Sequence, residues 1–270
     1  MALLYMEKIT SLQNPKIKQA LKLWKRGERE ETDQFLIEGY REISRALYAQ
    51  IHFETLFFCP ELFLGTNEKT LIEQLAAKNA FVVSCSETVF RKLSYRDRPD
   101  GLIAVAHQLH LKLENLKNGD TPLYVVAEGV EKPGNLGTIL RSADAAGVDG
   151  VIVCDRQTDI HNPNVVRASV GTLFTLPVVE EEGEKAYAWL KEHGIHIVSA
   201  TPAAQDLFTD VDFTRPLAIV VGTEQYGLSK KWMEGADIQV RIPMLGIADS
   251  LNVAMAATLL LYEAVRQRNG

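Results

Sequence analysis

The chain has 270 residues, 46% of them hydrophobic, which is enough for two domains that each bury an apolar core. Its net charge of −6 argues against a uniformly basic nucleic-acid-binding protein. Cys59, Cys85 and Cys154 form no CxxC pair, no apolar run reaches the roughly 18 residues of a membrane span, and the start MALLYMEKIT lacks a secretory pattern, so we expect a cytoplasmic protein without disulfides or metal.

The first 108 residues differ electrically from the remainder. They carry 15 Lys and Arg against 14 Asp and Glu, net +1, whereas the remainder carries 14 against 21, net −7. Basic residues are concentrated in two patches, which we take as candidate RNA-binding residues: Lys16, Lys18, Lys22, Lys25, Arg26 and Arg29, then Arg91, Lys92 and Arg96. Each patch is either a phosphate-contact surface or an ordinary solvated helix face.

The pattern of the front half predicts a small α/β domain. The segment KIKQALKLWKRG, residues 16–27, has apolar residues at helical spacing with lysines between them, which predicts an amphipathic basic helix. Short apolar runs then alternate with helical stretches as far as GLIAVAHQ. We therefore predict a first domain over residues 1–108 and a linker over 109–121, where charge is mixed with turn residues.

Residues 122–270 predict a second α/β domain. Strands that are apolar throughout, such as LYVVAE and LAIVV, alternate with helices, which is typical of a parallel sheet covered on both faces. Such sheets bind ligands at the carboxyl ends of their strands, where the unusual loops of this half fall.

The first of these loops follows LYVVAE. Pro133 and Gly134 indicate a turn, and Asn135 is placed to cap the next helix. Arg141 lies six residues further on, more than one and a half helical turns away. A purely structural interpretation remains open, in which Asn135 only caps the helix and Arg141 pairs with Asp144.

The second and third loops, VVGTEQYGLS and RIPMLGIADSLN, also follow apolar strands. Gly222 allows backbone to approach a ligand closely, although the spacing matches neither GxGxxG nor GxxxxGK[ST]. Ser229 and Ser250 are expected to cap the helices that follow. Asn252 falls in the first turn of a helix with an apolar face, where its amide needs a hydrogen-bond partner.

Taken in order, NLGTILRSADAAGV, IVVGTEQYGLS and IPMLGIADSLNVAMAATLLLYE resemble the three motifs of the SpoU (TrmH) family of SPOUT methyltransferases. The resemblance covers nearly all of residues 122–270 and implies a deep trefoil knot, S-adenosylmethionine as cofactor and a homodimer. Periodicity does not predict the knot, because true knots are rare. The segment ITSLQNPKIKQALKLWKRGERE with QFLIEGYREI resembles the family's ribosomal-protein-like RNA-binding extension.

The resemblance also implies roles for individual residues. The catalytic set is Asn135, Arg141, Glu224, Ser250 and Asn252. The cofactor-binding set is Gly222, Thr223, Ile242, Met244, Leu251 and Ala254. Main-chain groups at some of these positions are expected to hold the adenine, whose edge offers both donors and acceptors.

The implied reaction is methylation of a ribose 2′-hydroxyl in structured RNA, with ribosomal RNA favoured by the resemblance of the front domain. In-line displacement requires the ribose oxygen at roughly 3 to 3.5 Å from the methyl carbon. A guanidinium is too weak a base at neutral pH, so Arg141 is expected to stabilise the developing alkoxide and the adjacent phosphate. The alternatives are a tRNA 2′-O-methyltransferase and a non-catalytic RNA-binding assembly protein on the same fold.

Overall fold

Two chain segments build each of the two units of the protein. The computed structural model describes residues 8–117, 119–223 and 226–270. The first unit comprises Met1–Leu109 and His161–Thr175, and the second comprises His110–Ile160 and Leu176–Gly270. The sequence places one boundary near residue 108, close to the end of the first segment, but it contains no signal that residues 161–175 join the first unit.

The first unit is an α/β fold around a mixed sheet. Its strands are β1 (Lys8–Ile9), β2 (Gln34–Glu38), β3 (Phe53–Phe58), β4 (Phe81–Cys85) and β5 (Leu102–His107). Its helices before residue 109 are α1 (Pro15–Lys22), α2 (Arg26–Thr32), α3 (Tyr40–Tyr48), α4 (Glu68–Ala77) and α5 (Glu87–Leu93). The strand order is β1-β4-β3-β5-β2, with β4 parallel to β1 and β3, and β5 antiparallel to β3 and β2. The predicted small α/β domain is confirmed.

The predicted basic helix over residues 16–27 is two helices instead of one. The first begins as its sequence suggests, because the Asn14 side chain accepts a hydrogen bond from the Lys16 amide and Pro15 occupies the first helical position. It ends near Leu23, where the buried Arg29 guanidinium folds back and donates hydrogen bonds to the carbonyls of Leu23 and Trp24 at 2.9 and 3.0 Å. These carbonyls would otherwise lack partners at the helix end.

The second unit is built on a parallel sheet. Its strands are β6 (Leu123–Glu128), β7 (Gly150–Cys154), β8 (Val178–Glu181), β9 (His196–Ala200), β10 (Asp206–Leu207), β11 (Leu217–Val221) and β12 (Ile238–Arg241). The helices after residue 109 are α6 (Pro133–Ala146), α7 (Pro163–Ala168), α8 (Gly183–Glu192), α9 (Lys230–Glu234) and α10 (Val253–Asn269), of which α7 belongs to the first unit.

All neighbouring strands of the second sheet are parallel, in the order β10-β12-β9-β11-β6-β7-β8. The central strands β6, β7 and β11 are buried along their whole length, as the uninterrupted apolar runs predict. Part of the predicted linker also belongs to this unit, since Leu113 and Leu116 pack into the apolar core with Tyr124 and Trp189.

The segment His161–Thr175 packs against the sheet and helices of the first unit. The His161 ring lies against Phe35, with ring centroids 4.7 Å apart, and its Nε2 accepts a hydrogen bond from the Leu109 amide. Arg45 of α3 donates to the carbonyl of Val170 at 2.6 Å. These contacts explain why a stretch that lies between strands β7 and β8 in the chain folds with the first unit.

Two further properties bear on the sequence expectations. No helix within the described ranges is both long enough and apolar enough to span a membrane. Cys59, Cys85 and Cys154 are all buried free thiols.

Candidate active site

A cavity of about 590 Å³ lies at the carboxyl ends of the adjacent strands β9, β11 and β12. Its walls are formed by Ala200, Thr201, Pro202, Ala203, Val221, Gly222, Thr223, Tyr226, Gly227, Leu228, Val240, Ile242, Met244, Asp249, Ser250, Leu251, Val253 and Ala256. Mostly apolar walls with a few polar groups, at this volume, are typical of small-molecule sites. The location is the one that a parallel sheet predicts for its ligand.

The cofactor-binding residues suggested by the sequence converge on this cavity. Gly222, Thr223, Ile242, Met244 and Leu251 line it, although they come from two loops separated by helix α9 and strand β12. Ala254 is buried beside it in the first turn of α10 but does not line it. The second and third motifs therefore meet around one hollow.

Glycines allow two of these loops to approach each other closely. A Cβ atom at Gly222 would lie 3.0 Å from the Leu228 Cα and 2.6 Å from its Cδ2. Gly129, which follows β6, has a φ of +56°, and a Cβ there would lie 2.9 Å from the Thr223 methyl carbon. A side chain at either position would push the second-motif loop away from its neighbours.

Asn135 and Asn252 join the first and third motifs directly. The Asn252 Nδ2 donates a hydrogen bond to the Asn135 Oδ1 at 3.2 Å. Helices α6 and α10 are also joined about two turns further along, where the hydroxyls of Ser142 and Thr258 lie 2.7 Å apart. Two residues 117 positions apart in sequence thus form one polar contact.

Both helix caps in these motifs differ from the sequence predictions. Helix α6 begins at Pro133 with Lys132 as its N-cap, so Asn135 lies inside the first turn, and the prediction that it caps the helix is wrong. Helix α10 is capped by Asn252, whose Oδ1 accepts from the Ala254 amide at 3.0 Å, and not by Ser250. Ser250 is exposed and lines the cavity.

Arg141 lies on α6 with an exposed side chain. It is not among the residues that line the cavity. Within the described residues its guanidinium has no hydrogen bond or ion pair, so its charge is available to a further group. Glu224, the remaining member of the suggested catalytic set, lies outside the described residues.

Glu128 is a functional candidate that the sequence reading missed. It ends strand β6, is only 5% exposed, and its Oε2 accepts a hydrogen bond from the Ser229 amide at 2.8 Å. Ser229 is the N-cap position of α9, as predicted, but its hydroxyl makes no capping bond. The carboxylate therefore fixes the end of the second-motif loop. An acidic residue at the end of the apolar strand LYVVAE was the available signal.

The basic patch on residues 16–29 is only partly available to RNA. Arg29 is 2% exposed, and its guanidinium is engaged with backbone carbonyls, so the prediction that it contacts RNA is wrong. Lys22 and Arg26 are exposed but lie near carboxylates of Glu28 and Glu30. The remaining members of this patch, Lys16, Lys18 and Lys25, have exposed side chains.

The second basic patch is divided between surface and interior. Arg91 and Lys92 are exposed on α5. Arg96 is half-buried and pairs with Glu42 at 2.7 Å and with Asp100 at 3.6 Å. Burial raises the pKa of Glu42 and the nearby Arg96 charge opposes that rise. The Arg96 charge is therefore compensated within the protein and does not present an open phosphate-binding group.

One group of metal-ligating side chains converges within the described part of the chain. His52, Glu54 and His107 offer ligand atoms that all lie within 4.8 Å of one another, on an exposed part of the first unit. The His107 Nε2 lies 3.8 Å from the Glu54 carboxylate. The sequence pattern did not indicate this group, because His52 and Glu54 lie at the start of β3, His107 ends β5, and only the pairing of these two strands brings them together.

Fold and site together define an α/β protein of two units, one of which has a cavity of small-molecule size at the carboxyl edge of a parallel sheet. The model for the SpoU rRNA Methylase family matches residues 122–262, and the model for an MRM3-like substrate binding domain matches residues 14–104. The chain belongs to the SpoU rRNA methylase family, which confirms the resemblance drawn from the three motifs.

Relatives and solved structures match both units. The chain is 34% identical to the 23S rRNA (uridine(2479)-2'-O)-methyltransferase of Streptomyces viridochromogenes, over 91% of this chain and 87% of the relative. It is 30% identical to the 23S rRNA (guanosine(2553)-2'-O)-methyltransferase RlmP of Bacillus subtilis, over 95% and 98%.

Two solved structures share the fold across nearly the whole chain. An RNA 2'-O ribose methyltransferase is 43% identical with a TM-score of 0.86, covering 98% of this chain and 100% of the other. The AdoMet-bound rRNA methyltransferase from Sinorhizobium meliloti is 31% identical with a TM-score of 0.89, covering 96% and 97%.

Proposed function

We propose that the protein transfers the methyl group of S-adenosylmethionine to a ribose 2′-hydroxyl of 23S-type ribosomal RNA in the cytoplasm. The observation that carries the proposal is the convergence of the second and third motifs on one cavity, with Asn252, which lies between the lining residues Leu251 and Val253, in contact with Asn135 of the first motif. The names of the two relatives, which modify a uridine and a guanosine of 23S rRNA, support the substrate class and leave the base open.

The residues of the cavity fit S-adenosylmethionine. The AdoMet-bound structural relative supports the same ligand at the same fold. Gly222 and Thr223 from the second motif, with Ile242, Met244 and Leu251 from the third, would hold it. When bound, the cofactor supplies an electrophilic methyl group on a sulfonium. Apolar walls such as these exclude water, which would otherwise surround the reacting groups.

We assign to Arg141 the stabilisation of charge on the ribose oxygen and the adjacent phosphate. A guanidinium stays protonated at neutral pH, so it donates hydrogen bonds and takes no proton from the hydroxyl. The proton would pass to the phosphate or to water. Asn135, held by Asn252, would orient the ribose or the arginine, and Glu224 would support the same network. Ser250, at the cavity wall, would contact the substrate or the cofactor.

A second copy of the chain is proposed to complete the site. Arg141 is exposed and does not line the cavity of its own chain. Helix α10 carries an exposed apolar stripe, in which Met255, Leu259 and Tyr262 are 58%, 42% and 49% exposed at positions that share one helical face. An exposed apolar stripe of this kind marks an interaction surface. A homodimer through α10 would cover it and bring a partner's arginine to each cavity.

The deep trefoil knot belongs to the same proposal. Loops after β11 and β12 border one cavity together with the start of α10, which supports the threading that the family resemblance implies. The first unit, through its match to a substrate binding domain, is proposed to select the RNA. Exposed lysines of α1 would attract phosphates without reading the sequence, with an affinity that falls steeply as salt rises.

Mapping 2′-O-methylation in ribosomal and transfer RNA from cells with and without the protein tests the substrate class. The expected result is loss of one methylated ribose in 23S-type rRNA. Loss of a methyl group from tRNA alone would overturn the rRNA assignment, and no change in either RNA would overturn methylation by this protein.

Purified Arg141→Ala and Arg141→Lys proteins test the catalytic role. We expect the methylation rate to fall by roughly 10² or more, the loss seen when one charge-stabilising donor is removed. Arg215→Ala, which removes another exposed arginine of the same unit, should retain the wild-type rate. Near-normal kcat in both Arg141 variants would exclude the assignment.

Mixing inactive variants tests the shared site. Arg141→Ala and Asn252→Ala proteins, combined in equal amounts and allowed to exchange subunits, should regain about a quarter of the wild-type rate, because half of the dimers are mixed and each has one intact site. Absence of any recovery would mean that Arg141 acts within its own chain. Leu259→Glu should give a monomer in light scattering, and an unchanged dimer would remove α10 from the interface.

A further inference from the structure

The first unit contains a cavity of about 1140 Å³ that no motif of the sequence indicated. Four chain segments form it: the start of α3, the loop before α4, the loop between α5 and β5, and the segment around α7. Its lining residues are Tyr40, Arg41, Glu42, Leu64, Gly65, Thr66, Asn67, Glu68, Tyr95, Arg96, Asp97, Arg98, Asp100, Arg167 and Val170. A volume of this size exceeds that of most small-molecule pockets and accommodates a segment of polymer.

Polar side chains that hold one another in place form the buried part of the cavity. Arg96 pairs with Glu42, and Asp100 accepts a hydrogen bond from the Tyr40 amide at 2.9 Å. Gly39 is required here, because a Cβ atom at this position would lie 2.5 Å from the Arg96 Nη2. Its φ of +111° is also one that other residues rarely adopt.

Two buried polar atoms among these side chains have no partner in the part of the chain that the structure describes. They are the Nε of Arg96, which is a donor, and the Oδ1 of Asp100, which is an acceptor. Asp100 is 8% exposed and lines the cavity. Buried polar atoms are nearly always hydrogen-bonded, so a donor and an acceptor without partners, on two side chains that line the same cavity, indicate a ligand that supplies both.

The accessible part of the cavity is basic and partly aromatic. Arg41, Arg98 and Arg167 are exposed there, against the exposed carboxylate of Asp97. The Tyr95 ring is 43% exposed, stacks on Trp24 with centroids 4.8 Å apart, and lies 5.8 Å from the Arg167 guanidinium carbon. Single-stranded RNA is recognised by aromatic and guanidinium planes that stack on splayed bases, together with positive charge on the backbone.

We propose that this cavity binds an unpaired nucleotide segment of the RNA substrate and so gives the protein its preference for non-duplex RNA. Arg41, Arg98 and Arg167 contact the phosphates and the base faces, and the Arg96–Asp100 pair hydrogen-bonds a base edge. The inference deepens the proposed function and rests on it. According to this inference, the RNA is selected at this cavity and not at the lysines of α1, which attract any RNA equally.

Arg167 gives this site an unusual origin in the chain. It lies on α7, within the part of the sequence that the methylase family model matches, yet it belongs to the unit that carries the substrate-binding match. Its Nη2 donates to Asn164 Oδ1 at 3.3 Å, and the Asn164 amide donates to the Tyr95 hydroxyl. The stretch 161–175 therefore adds an arginine, and a support for Tyr95, to the substrate-binding unit.

Two triple variants with the same loss of charge test the proposal. One is Arg41→Ala with Arg98→Ala and Arg167→Ala, and the other is Lys18→Ala with Lys22→Ala and Lys25→Ala. Each removes three positive charges from exposed side chains of the first unit. The probes are protein-free 23S rRNA and a fully paired RNA duplex, with affinity measured by filter binding at several salt concentrations and thermal unfolding used to confirm that each variant folds.

The wild-type protein should bind 23S rRNA at least about tenfold more tightly than the duplex. The arginine variant should lose that preference, and its methylation activity should fall through a raised KM for RNA. The lysine variant should weaken binding to both RNAs equally and keep the preference. An arginine variant that retains the wild-type preference overturns the inference. If the wild-type protein methylates no rRNA at all, the proposed function fails instead. The binding measurements do not depend on methylation and still test the inference by themselves.

Discussion

Asn252 makes one structural contact and one contact that we propose serves catalysis, and two substitutions separate them. Its Oδ1 caps α10 through the Ala254 amide, while its Nδ2 donates to Asn135. Asn252→Ala removes both contacts. Asn252→Ser keeps a good N-cap, because a serine hydroxyl accepts the same amide, but its shorter side chain cannot span the distance to Asn135.

The expected stability changes follow from these contacts. Loss of an N-cap costs about 1 kcal/mol, within a range of roughly 0.5 to 2. A neutral side-chain hydrogen bond contributes about 0.5 to 1.5 kcal/mol, and less when it is exposed as this one is. Asn252→Ala should therefore lower the free energy of unfolding by about 1 to 2 kcal/mol and Asn252→Ser by less than about 1. At roughly 2 to 4 °C per kcal/mol, the Tm of the alanine variant falls by about 2 to 8 °C.

The methylation rate should follow a different order from the Tm. Both variants lose the contact that holds Asn135, and small displacements at a reacting centre cost rate steeply, so we expect kcat to fall by about tenfold or more in each. Calorimetry and single-turnover methylation measured on the same preparations separate the effects. A serine variant with wild-type kcat would refute the catalytic contact, and an alanine variant with wild-type Tm would refute the cap.

Three further predictions concern other positions. Gly222→Ala should raise the Kd for S-adenosylmethionine in calorimetric titration by about tenfold, because its Cβ would displace Leu228; wild-type affinity would contradict this. Arg29→Ala should lower the free energy of unfolding by about 3 kcal/mol, since two hydrogen bonds from a buried charged donor are lost, and an unchanged unfolding transition would count against it. Burial raises the pKa of Cys85 to about 12 and also raises the pKa of the other two thiols. A thiol reagent at pH 8 should therefore label none of the three cysteines in the native protein and all three after denaturation. Labelling of the native protein would disprove this prediction.

The second unit was largely predictable because its strands are buried on both faces and leave uninterrupted apolar runs in the sequence. The loops after those runs then had to lie at one edge of the sheet, and Gly222, Ile242 and Leu251 do meet there. The caps were harder to predict. Proline at the first helical position and asparagine as a cap compete for the same helix start, and Pro133 determines where α6 begins, which leaves Asn135 free to contact Asn252.

The first unit shows why counts of charged residues mislead. The sequence marks Arg29 and Arg96 as phosphate contacts because they stand among other basic residues. In the fold, Arg29 terminates a helix, and Arg96 meets carboxylates that lie 4 and 54 positions away in the chain. The linear sequence pattern does not reveal that Arg96 pairs with Glu42, which lies 54 positions away.

Which positive charges are exposed and unpaired can therefore be determined only from the folded structure. Surface ion pairs such as those of Lys22 and Arg26 contribute little energy, so these side chains can still leave their partners for a phosphate. Arg98 and Arg167, which stand apart in the sequence, line one cavity together with Arg96 and Asp100, whose buried Nε and Oδ1 have no partner among the residues that the structure describes. Lys22 and Arg26 are proposed to attract RNA, whereas Arg98 and Arg167 are proposed to select it. Attraction needs only positive charge near the RNA. Selection needs a hollow that duplex RNA cannot enter.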